Sequence, residues 1–226
     1  MTLSNDSRDR VKKVFEPIAL GMGRVGLTPD GLTLIGFGMT VVGALLLAGQ
    51  QWLAGGIVVL LGGIFDMFDG TLARATGQVS RLGAFIDSVF DRWGEALVFL
   101  GIIVGCVAAS FDAATILAAM AMASAFMVSY TRAKSEGLGF SNGTGMAAIG
   151  LMPREVRLVA LSVGLVLASV LPGLRPDEPD VLANVLGSTL AFIAFGATIT
   201  TVQRILHVHR QATTPAAGRS TEQEHS

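Results

Sequence analysis

The sequence predicts an all-α fold: a polytopic integral membrane protein with six transmembrane helices and an N-terminal amphipathic surface helix. Two observations lead to this fold class. The 226 residues are 51% hydrophobic and 15% charged, include 28 glycines and have a mean hydropathy of +0.62, which is typical of a polytopic membrane protein. The chain also contains six apolar stretches near the ~20 residues that a helix needs to cross a hydrocarbon core.

These six stretches define the predicted spans. They lie at about 31–49, 52–75, 83–109, 112–136, 155–172 and 181–209. The connections at 50–51, 110–111 and 172–180 then share one side of the membrane. Of the 16 Lys and Arg residues, only Arg175 falls on or beside those connections, so the positive-inside rule predicts that the other connections and both termini face the cytoplasm. We expect a multi-pass protein of the cell (inner or plasma) membrane.

The two ends of the chain differ from its apolar centre. Four apolar residues recur at helical spacing before the first span: Val11, Val14, Phe15 and Ile18. Charged residues take the other face, which predicts an amphipathic helix at about 11–22 on the membrane surface, with an ordinary solvated lead-in as the alternative. Residues 211–226 are polar and have no apolar face, so we expect a disordered cytoplasmic tail after a single domain at 1–210.

Four aspartates dominate the charge pattern inside the apolar region: Asp66, Asp69, Asp87 and Asp91. Spacings of three and four residues place the first pair on one face of one helix and the second pair on one face of the next. Four like charges in an apolar setting need neutralising, and hard divalent cations prefer oxygen ligands. Local ion pairs are the structural alternative, with Arg74 for the first pair and with Arg92 or Arg81 for Asp91. Acids at defined spacing within a membrane region favour the metal site.

The aspartates belong to a longer pattern that resembles the signature of the CDP-alcohol phosphotransferase family at every defined position. The pattern reads Asp66-x2-Asp69-Gly70-x2-Ala73-Arg74-x8-Gly83-x3-Asp87-x3-Asp91. The similarity includes the six-helix organisation and covers roughly residues 11–210. The resemblance implies a membrane enzyme that moves a substituted phosphoryl group from a CDP-linked donor to an alcohol and releases CMP. It also implies a homodimer, and nothing in the composition suggests a nucleic-acid partner.

The same resemblance implies a role for each aspartate. Asp66 and Asp87 bridge two metal ions, Asp69 binds the first ion, and Asp91 binds the second. Asp91 is also the implied general base that takes the proton of the acceptor hydroxyl. Magnesium is the expected ion, with manganese as the alternative, because all the ligands are oxygens.

The residues that contact the donor, CDP-diacylglycerol, are implied by their positions. In the family a Pro-Asn-x-x-Thr-like segment touches the nucleotide, and that place is taken here by Pro29, Asp30, Gly31, Leu32 and Thr33. Asp30 stands where Asn is common. Gly70, Arg74 and Ser80 complete the set, because Gly70 leaves the helix backbone open to a nucleotide and the Arg74 guanidinium can clamp a phosphate. Capping of a helix end is the alternative role for Asp30 and Ser80.

Three cations recur at the predicted cytoplasmic ends of the later spans: Lys134, Arg154 and Arg204. Several cations that face one cavity suit an acceptor that carries a phosphate. Residues 129–137 and 150–157 look like those of bacterial phosphatidylinositol-phosphate synthases, which implies inositol phosphate as the acceptor, with Arg132 or Arg157 as helpers. The alternative is that these side chains are snorkelling anchors at the membrane surface. We expect the Gly-rich segment 137–150 to form a loop beside the cavity.

Other functions stay open at this point. Glycerol phosphate, serine or free inositol could be the acceptor in the same chemistry, because the signature concerns only the CDP-linked donor. A divalent-cation transporter would also use carboxylates, but it predicts acids spread through the membrane depth, whereas these acids cluster near one side. A nonenzymatic lipid-binding scaffold would leave the aspartate spacing unexplained.

Overall fold

A computed structural model of the chain describes residues 5–140, 149–175, 177 and 180–213. Within these ranges the backbone forms seven α-helices and no strand. In chain order they are α1 (Asn5–Arg24), α2 (Pro29–Ala48), α3 (Trp52–Thr76), α4 (Arg81–Ala108), α5 (Asp112–Gly137), α6 (Arg154–Leu174) and α7 (Val181–Thr213). The all-α class is confirmed.

The six long helices α2 to α7 follow the six predicted stretches. Each begins within two residues of its predicted start, because helix starts follow the edges of the apolar runs. The last helix continues to Thr213, so residues 211–213 are helical instead of belonging to a disordered tail. A hydrogen bond of 2.9 Å between the side chains of His207 and Gln211 joins successive turns there. Residues 214–226 and most of the predicted loop, 141–148, lie outside the described residues.

Five of the described helices are long and apolar enough to cross a membrane: α2, α3, α5, α6 and α7. The protein is therefore a multi-pass membrane protein. The helix α4 differs because Asp91, Arg92 and Glu95 lie in its middle. The count of six spans stays a prediction, and α4 is the helix on which it depends.

The first helix is longer than predicted and packs on the bundle. It begins at Asn5 instead of near residue 11, because the apolar periodicity that marked its start appears only from Val11 onward. The Phe15 ring lies 5.1 Å from the Phe68 ring of α3, and Ala19 is buried against the same helix. The interfacial placement of α1 stays a prediction, and its apolar face contacts α3.

Close contact between α2 and α3 depends on paired glycines. A Cβ added at Gly36 would lie 3.1 Å from the Gly62 carbonyl oxygen, and one at Gly55 would lie 3.2 Å from the Gly43 carbonyl oxygen. Both distances are tighter than ordinary Cβ contacts, so glycine favours this approach, as small residues do in helix association in membranes. The contact brings the end of α3, where Asp66 and Asp69 lie, against the start of α2.

The remaining helices pack around a core of aliphatic and small side chains. Phe99 and Ile102 of α4, Leu165 of α6 and Leu190 of α7 are all at least 98% buried. Three alanines of α5 face them: Ala118, Ala121 and Ala125. Because α6 packs on both α3 and α7, the first residues of α6 lie beside the acidic end of α3.

Candidate metal and nucleotide site

Three of the four aspartates form one cluster. One carboxylate oxygen from each of Asp66, Asp69 and Asp87 lies within 4.8 Å of the others. The first two residues come from α3 and the third from α4, so the two helices face each other as their sequence spacing predicted. The structure therefore brings together three of the four aspartates of the pattern.

Asp69 is the most enclosed member of the cluster. Asp69 is 5% exposed, and the Thr33 hydroxyl donates a 2.5 Å hydrogen bond to its Oδ2. The backbone N–H of Gly70 donates to Oδ1. These two hydrogen bonds orient both carboxylate oxygens of Asp69. Thr33, a predicted nucleotide contact, therefore also fixes a carboxylate of the cluster.

Asp91 faces the cluster across an arginine. Arg154 Nη1 lies 2.6 Å from Asp66 Oδ2 and 2.6 Å from Asp91 Oδ1, and the contact with Asp66 has hydrogen-bond geometry. Asp91 Oδ1 is buried and accepts no hydrogen bond from the described residues. The ion-pair partner of Asp66 and Asp91 is thus Arg154 rather than Arg74, Arg81 or Arg92.

The donor set suits a hard divalent cation. Ligands on one octahedral Mg²⁺ ion lie up to about 4.2 Å apart, because each Mg–O bond is about 2.1 Å long. A spread of 4.8 Å among three carboxylate oxygens is close to this value. The buried Asp91 Oδ1 is a further carboxylate oxygen near the cluster, with Arg154 Nη1 2.6 Å from it. The residues fit the predicted metal.

A cavity of about 260 Å³ opens beside the cluster, with Asp69 and Asp87 in its wall. Six of the eight predicted donor contacts line it: Pro29, Asp30, Thr33, Gly70, Arg74 and Ser80. Gly31 and Leu32 do not line this cavity. Leu32 is fully buried, because it packs in one cluster with Ala19 of α1 and Phe68 and Leu72 of α3. Gln78 and Gly83 line the cavity and were not predicted as contacts.

The positive ends of two helices flank this cavity. Thr28 caps α2, its Oγ1 accepting from the Gly31 N–H at 3.1 Å, and Ser80 caps α4, its Oγ accepting from the Gly83 N–H at 2.9 Å. Ser80 is therefore a cap as well as a cavity residue, whereas Asp30 is not the cap of α2. Helix N-termini favour bound phosphate because their backbone N–H groups and dipoles point toward it.

The three predicted acceptor cations lie in different settings. Arg154 is the first residue of α6 and contacts the aspartates. Arg204 is 3% exposed and donates to two backbone carbonyls, to Ile149 O from Nε at 3.0 Å and to Val128 O from Nη1. Lys134 is exposed in the last turn of α5. The structure brings only Arg154 into contact with the predicted metal ligands.

One ion pair at the site was missed from the sequence. Arg157, which is 2% exposed, donates to Glu95 through Nε at 2.8 Å and through Nη2 at 2.9 Å. Glu95 follows Asp91 by four residues, so it continues the acidic face of α4. That spacing was the available signal, although nothing in it indicated Arg157 as the partner.

Comparisons with known proteins agree with this geometry. The profile of the CDP-alcohol phosphatidyltransferase family matches residues 26–200. The phosphatidylinositol phosphate synthase of Mycobacterium tuberculosis is 33% identical over 213 residues, which cover 93% of this chain and 91% of that protein. The archaetidylinositol phosphate synthase of Pyrococcus horikoshii is 33% identical over 173 residues, which cover 73% and 87%.

Solved structures show the same fold. A crystal structure of the M. tuberculosis phosphatidylinositol phosphate synthase with CDP-DAG bound superposes with a TM-score of 0.72 at 32% identity, covering 91% of this chain and 96% of the other. Its complex with manganese and citrate gives a TM-score of 0.71 at 32% identity, covering 90% and 91%. The chain belongs to the CDP-alcohol phosphatidyltransferase family.

Proposed function

We propose that this protein transfers the phosphatidyl group from CDP-diacylglycerol to a hydroxyl of inositol phosphate, giving phosphatidylinositol phosphate and CMP. The observation that carries the proposal is the cluster of Asp66, Asp69 and Asp87 beside a cavity lined by the predicted donor contacts. The M. tuberculosis relative, whose superposition covers 91% of this chain, binds CDP-DAG in a crystal.

The four aspartates would hold two divalent ions, magnesium or manganese. Asp66 and Asp87 would bridge both ions, Asp69 would bind the first and Asp91 the second. Asp66 and Asp87 share the cluster with Asp69, and Asp66 also shares its Arg154 contact with Asp91, which supports this assignment. When bound, the ions supply positive charge that stabilises the phosphoryl group and the leaving CMP. The manganese complex of the relative supports a divalent metal.

The cavity would hold the nucleotide of the donor. The donor's pyrophosphate would be attracted by the N-termini of α2 and α4 and by the exposed Arg74 guanidinium. Arg74 Nη1 lies 3.3 Å from the place where a Cβ of residue 70 would be, so the absent side chain at Gly70 leaves room for this guanidinium.

Asp91 would act as the general base. It takes the proton of the acceptor hydroxyl as that oxygen forms a bond to the phosphorus, while the bond from phosphorus to the CMP oxygen breaks. Asp91 Oδ1 is buried and lies 2.6 Å from Arg154 Nη1, so the proton would be taken by a carboxylate that is held next to this cation.

The acceptor's phosphate would bind to Lys134, Arg154 and Arg204, with Arg132 or Arg157 as helpers. Arg154 is the best supported of these because it is next to the base, Asp91. Arg132 and Arg157 lie near enough to Arg204 to repel its charge, and each of the two has a carboxylate partner, Glu136 and Glu95 respectively. Two relatives whose names differ in the lipid share the inositol phosphate head group, which supports this acceptor.

The clustering of the acids favours an enzyme over a cation transporter. Asp66, Asp69 and Asp87 gather at one place, and the acid that follows Asp91 on α4, Glu95, is neutralised by Arg157. A transport pathway needs successive free sites along the membrane depth. We also propose that the site and both termini face the cytoplasm, and that the protein forms a homodimer.

The test is an acceptor comparison with the purified protein. CMP release is measured with CDP-diacylglycerol and magnesium, and with inositol phosphate, glycerol phosphate, serine or inositol in turn. We expect release with inositol phosphate and none from the Asp91→Asn variant. Arg154→Ala should raise the KM for inositol phosphate. Preference for another acceptor would overturn the proposed substrate, and metal flux into vesicles without the donor lipid would favour transport.

A further inference from the structure

The segment that leads into α6, residues 149–153, is bound by side chains of α6 and α7, and two of these side chains also contact α4 and α5. We call it the α6 lead-in. Arg204 of α7 donates to the Ile149 carbonyl, and Thr200 of α7 and Arg157 of α6 bind the backbone of Met152. Arg204 also binds Val128 of α5, and Arg157 binds Glu95 of α4. Arg154 follows this segment directly.

Thr200 fixes the lead-in from one side. It is fully buried, its Oγ1 accepts from the Met152 N–H at 2.9 Å, and the same hydroxyl donates to the Gly196 carbonyl at 2.8 Å. Gly150 has a φ of +124°, and a Cβ there would lie 2.2 Å from Thr200 Cγ2. The lead-in therefore lies directly on the Thr200 side chain, which glycine alone permits.

Arg157 fixes the lead-in from the other side. Its Nη1 donates to the Met152 carbonyl at 2.9 Å, while Nε and Nη2 form the paired hydrogen bonds with Glu95. Met152 is thus held at both its N–H and its C=O. Pro153, which follows it, has no N–H and a restricted φ, so little backbone freedom remains before Arg154.

We propose that Thr200 and the Glu95–Arg157 pair are positioning residues that set the place of Arg154 and so govern binding of the acceptor's phosphate. The inference rests on the proposed function. One guanidinium nitrogen of Arg154 lies 2.6 Å from both Asp66 and Asp91, which places this cation at the site, and small shifts of a phosphate-binding group weaken binding strongly. Anchors from α4 and α7 hold its backbone against such shifts.

The experiment uses threonine variants of matched size. Thr200→Val removes the hydroxyl that holds Met152, and Thr200→Ser keeps a hydroxyl. Thr201→Val removes a neighbouring hydroxyl that, among the described residues, bonds to the Ala197 carbonyl of its own helix. We expect Thr200→Val to raise the KM for inositol phosphate about tenfold, since a buried N–H loses its partner. The KM for CDP-diacylglycerol and both control variants should stay within about twofold of wild type.

A double-mutant cycle separates positioning from general stability. If Thr200 acts through Arg154, Thr200→Val added to Arg154→Ala changes the KM for inositol phosphate by less than about twofold. Effects that multiply in the double variant, or an equal rise in the KM for CDP-diacylglycerol, would overturn the inference while leaving the proposed function intact. If wild-type protein uses a different acceptor, the proposed function fails, and the same cycle measured with that acceptor decides the inference.

Discussion

The four aspartates of the site are one residue type in different environments. Asp69 is buried and accepts from Thr33 and Gly70, whereas Asp87 lines the open cavity. Asp91 lies at the other end, next to Arg154. Because each carboxylate has its own neighbours, substitution of each one should have a distinct effect on metal and substrate binding.

Asp87→Asn should weaken metal binding while keeping the side-chain size. It removes one of three clustered charges, so we expect CMP release to fall by roughly a hundredfold or more. Even substitution of residues that only hydrogen-bond to metal ligands lowers activity by about 10–100-fold. A titration with Mn²⁺ followed by electron paramagnetic resonance measures the affinity directly. Asp112→Asn, at the exposed start of α5, is the control. Unchanged manganese affinity in Asp87→Asn would contradict the metal assignment.

Glu95→Gln should destabilise the fold through Arg157. The guanidinium is 2% exposed, so loss of its counter-charge leaves a buried cation at a cost of about 3–5 kcal/mol. Glu136→Gln is the matched control, because its pair with Arg132 is exposed and is worth about 0–1 kcal/mol. Unfolding in detergent measures both free energies. Equal losses in the two variants would show that burial of the pair is not what matters.

At the scale of the element, one face of α4 carries both acidic residues and glycines. Asp87, Asp91 and Gly94 lie on the same face as Gly101 and Gly105, since their spacings return to one side of a helix. Cβ atoms at Gly101 and Gly105 would lie 2.2 and 2.3 Å from carbonyl oxygens of α2. The glycines bring α4 against α2, and the acids, which lie about three and four turns before Gly101, are thereby placed opposite α3.

Gly62→Ala tests the contact between α2 and α3. Its Cβ would lie 2.9 Å from Thr40 Oγ1 and 3.0 Å from the Gly36 carbonyl oxygen, so the helices must separate at a cost of about 1–3 kcal/mol. Asp66 is one turn further along α3, so CMP release should also fall. Gly38→Ala is the control, since no atom lies within 4 Å of its added Cβ. If both variants behave alike in unfolding and activity, the close-packing argument fails.

At the scale of the whole molecule, the bundle has an apolar outer surface and a polar site near the ends of α3, α4 and α6. Large apolar side chains are exposed along the helices, among them Leu45, Val107 and Phe195. Such a surface is suited to lipid rather than water. A lipid-linked donor can therefore keep its acyl chains in the bilayer while its nucleotide reaches the site.

The orientation can be measured by cysteine labelling. Cys106, the single cysteine, is fully buried, and Cys106→Ala gives a background without thiols. We expect cysteines at Gln51 and Asp180 to react with an impermeant maleimide in intact cells, and cysteines at Ala75 and Leu138 to react only after permeabilisation. The positive-inside rule predicts this labelling pattern, because it places the connections beside Ala75 and Leu138 on the cytoplasmic side. The reverse pattern would overturn the proposed cytoplasmic location of the site.

The sequence by itself determined the helices and the identity of the acidic cluster. The position and length of each apolar stretch set where a spanning helix begins. Spacings of three and four residues place Asp66 with Asp69, and Asp87 with Asp91, on common helix faces. Both features depend on local chain geometry, which any helix with this sequence has. The membrane class and the aspartate cluster could therefore be predicted.

Only the tertiary structure decided which side chains meet across the bundle. Asp66 and Arg154 are 88 positions apart, and Glu95 and Arg157 are 62 apart. These pairs depend on where the helices cross, and the crossings are set by close glycine contacts that hydrophobic periodicity does not reveal. Arg154 at the aspartates and Glu95 as the partner of Arg157 are consequences of packing rather than of any local pattern.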